Sequence, residues 1–193
     1  MKKDVEKAIE ILKKGGIVIF PTDTVFGIGC RIDDEMAVEK LFKIKRKPEE
    51  RVAPVLIDSI KMAQKYLEPI PKDVVKKLIK PYWPGGLTIV LRCIPDKVPV
   101  RLQGRSKTLG IRMPNYGSLL KIIEGVGAPI VGSSANSFGD EAPDKFSKIN
   151  KKLISRVDFV LTGKCTKKVP STVVDCTKKP WRILREGAVK LDL

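Results

Sequence analysis

The chain has 193 residues, 42% hydrophobic and 31% charged, the composition of a globular protein large enough to bury a core without disulfide or metal staples. Lysine plus arginine number 38 against 22 acidic residues, a net charge of +16. Histidine is absent, which excludes Ser-His-Asp and Cys-His catalysis, imidazole bases and every metal site that needs a His ligand, and leaves carboxylates, hydroxyls, amides, Lys, Arg and backbone dipoles, a set suited to binding and polarising anions.

Val5, Ala8, Ile9, Ile11 and Leu12 have helical spacing, and Gly15-Gly16 ends that helix. GIVIF (16–20) reads as a buried strand stopping at Pro21. Met36, Ala37, Val38, Leu41, Phe42 and Ile44 predict a second helix, which runs into the basic cluster Lys43–Lys47 and Pro48. APVLI (53–57) reads as a strand, followed by helices over 59–67 and 71–80. Strands are expected at 87–91 and 108–112, a helix at 115–124, a strand at 128–132 and a short helix at 145–154. Three more strands, at 157–161, 171–175 and 181–185, complete the chain. There is no internal repeat, linker or low-complexity stretch. The alternation predicts an α/β fold, a single domain with one twisted, open, mixed sheet and helices on its faces.

The cysteines Cys30, Cys93, Cys165 and Cys176 stand far apart without a C-x-x-C pair, so buried reduced thiols in a cytoplasmic protein are expected. The N-terminal segment interrupts its apolar residues with acids and lacks the core of a signal peptide, and the longest apolar runs are strand-length, so no membrane span is expected.

Polar clusters fall at the ends of predicted strands, where open α/β sheets bind ligands. Pro21-Thr22-Asp23-Thr24 and then Gly27-Ile28-Gly29 follow the first strand, Ser133-Ser134-Ala135-Asn136 follows 128–132, and Arg112 ends TLGIR. Ser171-Thr172 opens one late strand and Arg185 ends another. Hydroxyls, amides and arginines around one crevice suit carboxylate and phosphate oxygens. Each cluster also has a plainer reading: capped turns for the Ser/Thr/Asx segments, snorkelling arginines, and a solvated helix end at Lys43–Lys47. No G-x-x-x-x-G-K-[ST] motif occurs, and Gly27-Ile28-Gly29 lacks the third glycine of a dinucleotide-binding turn.

The ordered set GGIVIFPTDTVFGIGC (15–30), the Lys-Pro segment 45–48, PGGLTIVL (84–91), GIRMPN (110–115), SSAN (133–136), STVVD (171–175) and ILREGAV (183–189) resembles the threonylcarbamoyl-AMP synthase family, the YrdC-like domain. The set covers residues 5–189, and the chain resembles the short single-domain form. The resemblance implies a reaction of L-threonine, bicarbonate and ATP that gives threonylcarbamoyl-AMP and pyrophosphate. Other proteins would then transfer the threonylcarbamoyl group to the adenosine beside the anticodon of tRNA. It implies threonine-side roles for Thr24, Arg112, Ser134 and Ser171, and ATP-side roles for Lys45, Lys47, Thr108, Asn136 and Arg185. No side chain is assigned as catalytic or as a metal ligand; Mg2+ is expected to be held mainly by ATP.

Three positions depart from the family pattern. Phe26 stands where Tyr is common, and Asp144 where small hydroxyl residues are, so Asp144 is left out of the site. The family's Lys-x-Arg falls on Lys45-Arg46-Lys47, so Lys47 keeps the charge but loses the bidentate fork; an offset that uses Arg46 stays open. Segment 49–54 matches the family least. Two other functions compete with the synthase: an RNA-binding module for tRNA or double-stranded RNA, and a divergent relative with another substrate. Residues 146–193 carry 12 Lys plus Arg against 4 Asp plus Glu, a pull on phosphates independent of sequence. Phe159 and Trp181 are the only aromatic residues after 150, which favours backbone contact over base stacking.

Overall fold

The computed structural model describes residues 2–48, 51–104 and 106–192. Among them ten strands form two twisted mixed sheets. The first holds β1 (Val18–Phe20), β2 (Gly27–Gly29), β7 (Ser133–Ser134) and β8 (Phe159–Val160) in the order β7-β2-β1-β8. The second holds β3 (Val55–Leu56), β4 (Leu87–Arg92), β5 (Thr108–Arg112), β6 (Ile130–Val131), β9 (Thr172–Asp175) and β10 (Arg182–Arg185) in the order β10-β9-β4-β5-β3-β6. The pairs β1/β8, β3/β5 and β4/β9 are parallel and the other pairs are antiparallel. The expected α/β class with mixed pairing is observed, with its strands divided between two sheets.

The two sheets meet at a corner. β6 and β7 are separated only by Gly132, whose N–H bonds to Pro54 O at 2.8 Å, so the chain leaves one sheet and enters the other within a residue. The continuation of β2 crosses to the second sheet through the Arg31–Ile130 bridge and the Val131 N–H to Cys30 O bond of 2.8 Å. That close approach explains the glycine pair which superficially resembles a nucleotide-binding turn. A Cβ on Gly29 would lie 1.8 Å from Val131 O, and one on Gly27 would lie 2.5 Å from the Phe20 ring.

Helices cover the sheets through apolar faces. α1 (Lys2–Lys13) buries Ala8 and Leu12, and its Ile9 lies against Gly125 of α6 (Gly117–Val126). α2 (Glu35–Ile44) is capped by Asp34, whose Oδ1 accepts from the Ala37 N–H at 2.9 Å, and buries Ala37, Val38, Leu41, Phe42 and Ile44. The expected helix over 59–67 is the short α3 (Ile60–Ala63) followed by turns. The helix expected at 71–80 runs as α4 (Lys72–Val74), a π segment (Val75–Ile79) and α5 (Lys80–Tyr82). Pro81 has no N–H to continue the α-ladder, and Lys80 N–H bonds five residues back to Val75 O. The helix expected at 145–154 divides into a 3-10 turn (Phe146–Lys148) and α7 (Lys151–Ile154), separated by the Asn150 cap. The cysteines are buried and unpaired, and burial pushes the Cys30 and Cys176 thiols up to about 12. Among the described residues no helix is long and apolar enough to cross a membrane.

Gly29→Ala must push a pair of strands apart, so its melting temperature in calorimetry should fall by about 4–8 °C, the effect of about 2 kcal/mol of overpacking in a chain of this size. Gly117→Ala, where an added Cβ meets nothing within 4 Å at the start of a helix, should be neutral or slightly stabilising.

Candidate functional site

The loop that follows β1 is shaped by its own hydroxyls. Thr22 Oγ1 donates to Val25 O at 2.7 Å and accepts from the Thr24 N–H at 3.0 Å. Thr22, Asp23 and Thr24 are 3%, 2% and 0% exposed. The plain reading of this segment as a capped turn is therefore correct, and the same turn also presents a second face. Thr24 Oγ1 lies 2.8 Å from Arg112 Nη1, and Asp23 Oδ1 lies 2.5 Å from Arg112 Nη2. Arg112 Nε donates to Gly85 O at 2.9 Å.

Arg112 ends β5 in the second sheet, while Asp23 and Thr24 leave β1 in the first, so the guanidinium spans the cleft between them. An arginine can only donate. The Thr24 hydroxyl therefore accepts from Arg112 and turns its proton to Thr22 Oγ1, 2.9 Å away, whose own proton serves Val25 O. Burial draws Arg112 below the ordinary guanidinium value, and Asp23 opposes that shift. Asp23 Oδ2 is buried without a hydrogen-bond partner among the described residues. Thr22, Thr24, Phe26, Arg112, Ser133 and Ser134 line a cavity of about 30 Å3 at this point. Phe26 is fully buried, its ring 6.5 Å from that of Phe146 and tilted edge-on, a contact that needs no hydroxyl.

A second hydroxyl group adjoins this one. Ser171 Oγ lies 2.8 Å from Thr88 Oγ1, and Arg185 donates to Ser171 O through Nε at 3.0 Å and Nη2 at 2.8 Å. The charge of Arg185 is felt by both Arg112 and Lys47.

The Lys-Arg-Lys segment sits at the C-terminal end of α2. Lys45 is 3% exposed and its Nζ donates to the carbonyl oxygens of Ser134 and Asn136. Lys47 is half-buried with its Nζ 5.3 Å above the Phe42 ring. Arg46, at φ 51°, turns outward and is exposed, so Lys45 and Lys47 are the inward pair. Burial, with Lys47 as a neighbour and Asp140 opposing, lowers Lys45 from 10.5 to about 7. Burial, with Arg101, Arg51 and Arg185 nearby, lowers Lys47 to about 8. Cations gathered at this density are suited to a polyanion.

Ser134 Oγ donates to Asn136 Oδ1 at 2.5 Å, and Asn136 Nδ2 donates to Asp140 O at 2.6 Å. The structure thus brings Thr24 to Arg112, Ser171 to Arg185, and Lys45 to Ser134 and Asn136. Thr108 stands apart: it opens β5 opposite Arg92, four residues and about 13 Å along the strand from Arg112. Asp144 is engaged with Lys148 at 2.8 Å. Sequence reasoning missed Asp23 as the partner of Arg112. It also missed Arg101, whose guanidinium lies 3.9 Å above the Phe42 ring and donates to the carbonyls of Lys47, Pro48 and Arg51. Of the poorly matched segment 49–54 these contacts reach Arg51; positions 49 and 50 lie outside the described residues.

Comparison with known proteins places this geometry in a family. The Sua5/YciO/YrdC family model, described as Telomere recombination, matches residues 10–187. Threonylcarbamoyl-AMP synthase of Bacillus subtilis is 33% identical over 186 residues, 96% of this chain and 54% of that protein. Among solved structures, Sua5 of Pyrococcus abyssi complexed with L-threonine superposes with a TM-score of 0.91 at 31% identity, covering 97% of this chain and 55% of that one. Escherichia coli YciO superposes with a TM-score of 0.87 at 28% identity, covering 97% and 90%. The chain spans about half the length of the synthase and Sua5 relatives.

The depressed lysines set the sign of a stability profile. Between about 7 and 10.5 the unfolded chain holds a proton on Lys45 that the folded chain has released, so folding strengthens as pH rises through that window. The melting temperature of the ligand-free protein should climb by about 4 °C or more from pH 7 to pH 9, and Lys45→Met should remove at least half of that rise.

Proposed function

Because the chain belongs to the Sua5/YciO/YrdC family, we propose that it is an L-threonylcarbamoyladenylate synthase, a nucleotidyltransferase that joins L-threonine, bicarbonate and ATP and releases threonylcarbamoyl-AMP, pyrophosphate and water. The observation that carries this reading is the buried Arg112 beside Thr24, with a second cationic group at Lys47 and Arg185 close enough to feel the same charges. One buried guanidinium suits an amino-acid carboxylate, and the further cations suit a triphosphate. The Pyrococcus abyssi Sua5 solved with L-threonine supports an amino-acid site in this fold.

In this reading Arg112 takes the threonine carboxylate, with the hydroxyls of Thr24, Ser134 and Ser171 around the rest of the molecule. Lys47 and Arg185 face the phosphates, and Lys45, Asn136 and Thr108 belong to the nucleotide side. Magnesium would arrive on the oxygens of ATP and neutralise some of their charge; among the described residues no group of three or more His, Cys, Asp or Glu side chains is placed to hold a metal. The chain's own work is to hold three anionic or zwitterionic reactants in contact inside a partly water-excluded cleft. There fixed cations and hydroxyls offset charge that would otherwise repel, and no imidazole base is required. The product is destined for tRNA through a separate transfer machinery, and a cytoplasmic site of action follows from that role.

An RNA-facing surface is a second reading, favoured by the exposure of Lys164, Lys167, Lys168, Lys178 and Lys179 in the most basic quarter of the chain. A divergent relative with another substrate is favoured by Lys47 at the family's arginine position and by the near full-length match to YciO.

Purified protein with ATP, Mg2+ and bicarbonate should release pyrophosphate only when L-threonine is present, and Asn136→Ala should lower kcat/KM by about 100-fold. Pyrophosphate release indifferent to threonine, together with no threonine binding in calorimetry, would sink the synthase reading. Lys47→Arg should change threonine-dependent turnover less than about threefold, because the charge is already in place; a gain of tenfold or more would mark the natural site as repurposed.

A further inference from the structure

A buried lysine aimed at backbone carbonyls is an unusual way to build a phosphate ligand. Lys45 follows α2 as its C-cap; its own N–H bonds to Leu41 O at 3.1 Å and the next N–H, of Arg46, to Lys43 O at 3.1 Å, so its backbone is fixed by the helix. From there the Nζ reaches the carbonyl oxygens of Ser134 and Asn136, while the Lys45 carbonyl accepts from the Phe138 N–H at 2.9 Å. One residue therefore grips the 134–138 segment at three points, two through its side chain and one through its main chain.

Apart from these three bonds the segment is held by the Ala135 N–H, which donates to Phe26 O at 2.8 Å, and by the Ser134 Oγ to Asn136 Oδ1 and Asn136 Nδ2 to Asp140 O bonds. β7 is two residues long and pairs with β2 only at Ser133 and Ser134. Residues 135–145 form no helix or strand. The Asn136 N–H bonds back to Ser134 O at 2.9 Å, which closes a tight turn and points two carbonyl oxygens, those of Ser134 and Asn136, toward a common point. Carbonyl dipoles converging in a buried space repel one another unless a cation or donor sits between them. The Lys45 amino group, a donor to both, occupies that place.

We infer that Lys45 is a positioning residue, whose buried amino group holds the Ser134–Asn136 turn in the shape that presents both side chains to ligand before any nucleotide is bound. The inference rests on the synthase reading for what Ser134 and Asn136 bind, and it deepens that reading by moving Lys45 from the phosphates to the frame of the site. It also separates the two inward lysines. Lys47, half-buried among Arg51, Arg101 and Arg185, remains the one directed at anionic ligand. A lysine that only touches phosphate influences nucleotide binding alone. A lysine that acts through the turn influences threonine binding as well, in the absence of nucleotide.

Lys45→Met keeps the apolar stem and removes the donors. Two measurements on the ligand-free variant decide the matter: amide hydrogen exchange at Asn136 and Phe138, and calorimetric titration with L-threonine without ATP. Exchange at both amides should accelerate by roughly tenfold or more while β4 and β5 keep their protection, and the threonine Kd should rise by about tenfold. Unchanged exchange with unchanged threonine affinity, and a loss confined to ATP binding, would overturn the inference and return Lys45 to the phosphates. If the natural protein binds no threonine, the synthase reading fails, and the exchange rates still decide the positioning role. Should Lys45→Met not fold, Lys45→Gln, which retains a shorter donor, is measured in the same way, with intermediate acceleration expected and none overturning the inference.

Discussion

The pair formed by Arg112 and Asp23 is the interaction on which the site depends. A guanidinium that is 5% exposed is tolerable only with an anion and several acceptors around it, and here the anion comes from the other sheet. Removing either partner leaves the other charge buried and unpaired, which costs about 3–5 kcal/mol. Both sheets are therefore committed to one relative placement, with the loop after β1 facing the end of β5. The hydroxyl relay follows from the same constraint. Because arginine never accepts, the protons of Thr24 and Thr22 have a fixed sense, running from Arg112 toward Val25 O.

The other half of the site is organised by cations of opposite temperament. Arg101 has its nitrogens on three carbonyls of the 47–51 segment and its plane on Phe42, so it fixes backbone. Lys45 likewise faces carbonyls. Lys47 and Arg185 are the less enclosed pair, and Arg185 also anchors the Ser171 backbone. A cluster of like charges in a half-buried cleft is destabilised on its own, and burial, with that repulsion added, lowers the affinity of Lys47 for its proton. Such a cluster is relieved by an anion placed among its members.

Much of this was legible in the sequence, and the gaps have physical causes. Strands β4 and β5 are long, apolar and alternating, and were placed within a residue. β2 and β7 were missed because Gly27-Ile28-Gly29 and Ser133-Ser134 have no strand propensity of their own; they pair because the corner at Gly132 brings them together. The glycines that hinted at a phosphate turn are instead demanded by backbone and ring contacts at Val131 and Phe20. Motif order named candidate residues for the site, yet not their direction. Nothing local shows that Lys45 faces inward to carbonyls while Arg46 faces out, since the positive φ at Arg46 arises from the end of α2. Arg101 was invisible because its contacts lie about fifty residues away in the chain.

The absence of histidine has a consequence at the site. In most proteins the imidazole is the group that titrates near neutral pH. Here that range belongs to Lys45, at about 7, and Lys47, at about 8. A polyanion near Lys47 favours its charged form, so binding must draw a proton from solvent whenever the lysine is neutral beforehand. Affinity for such a ligand is then strongest below about 8 and declines above it, whereas the ligand-free fold gains stability over the same rise in pH. The two trends oppose each other because the proton on Lys47, lost as pH rises, contributes to both. Burial and crowding that weaken the free protein at low pH are relieved by any anion placed beside Lys47, so the two effects are linked through that lysine.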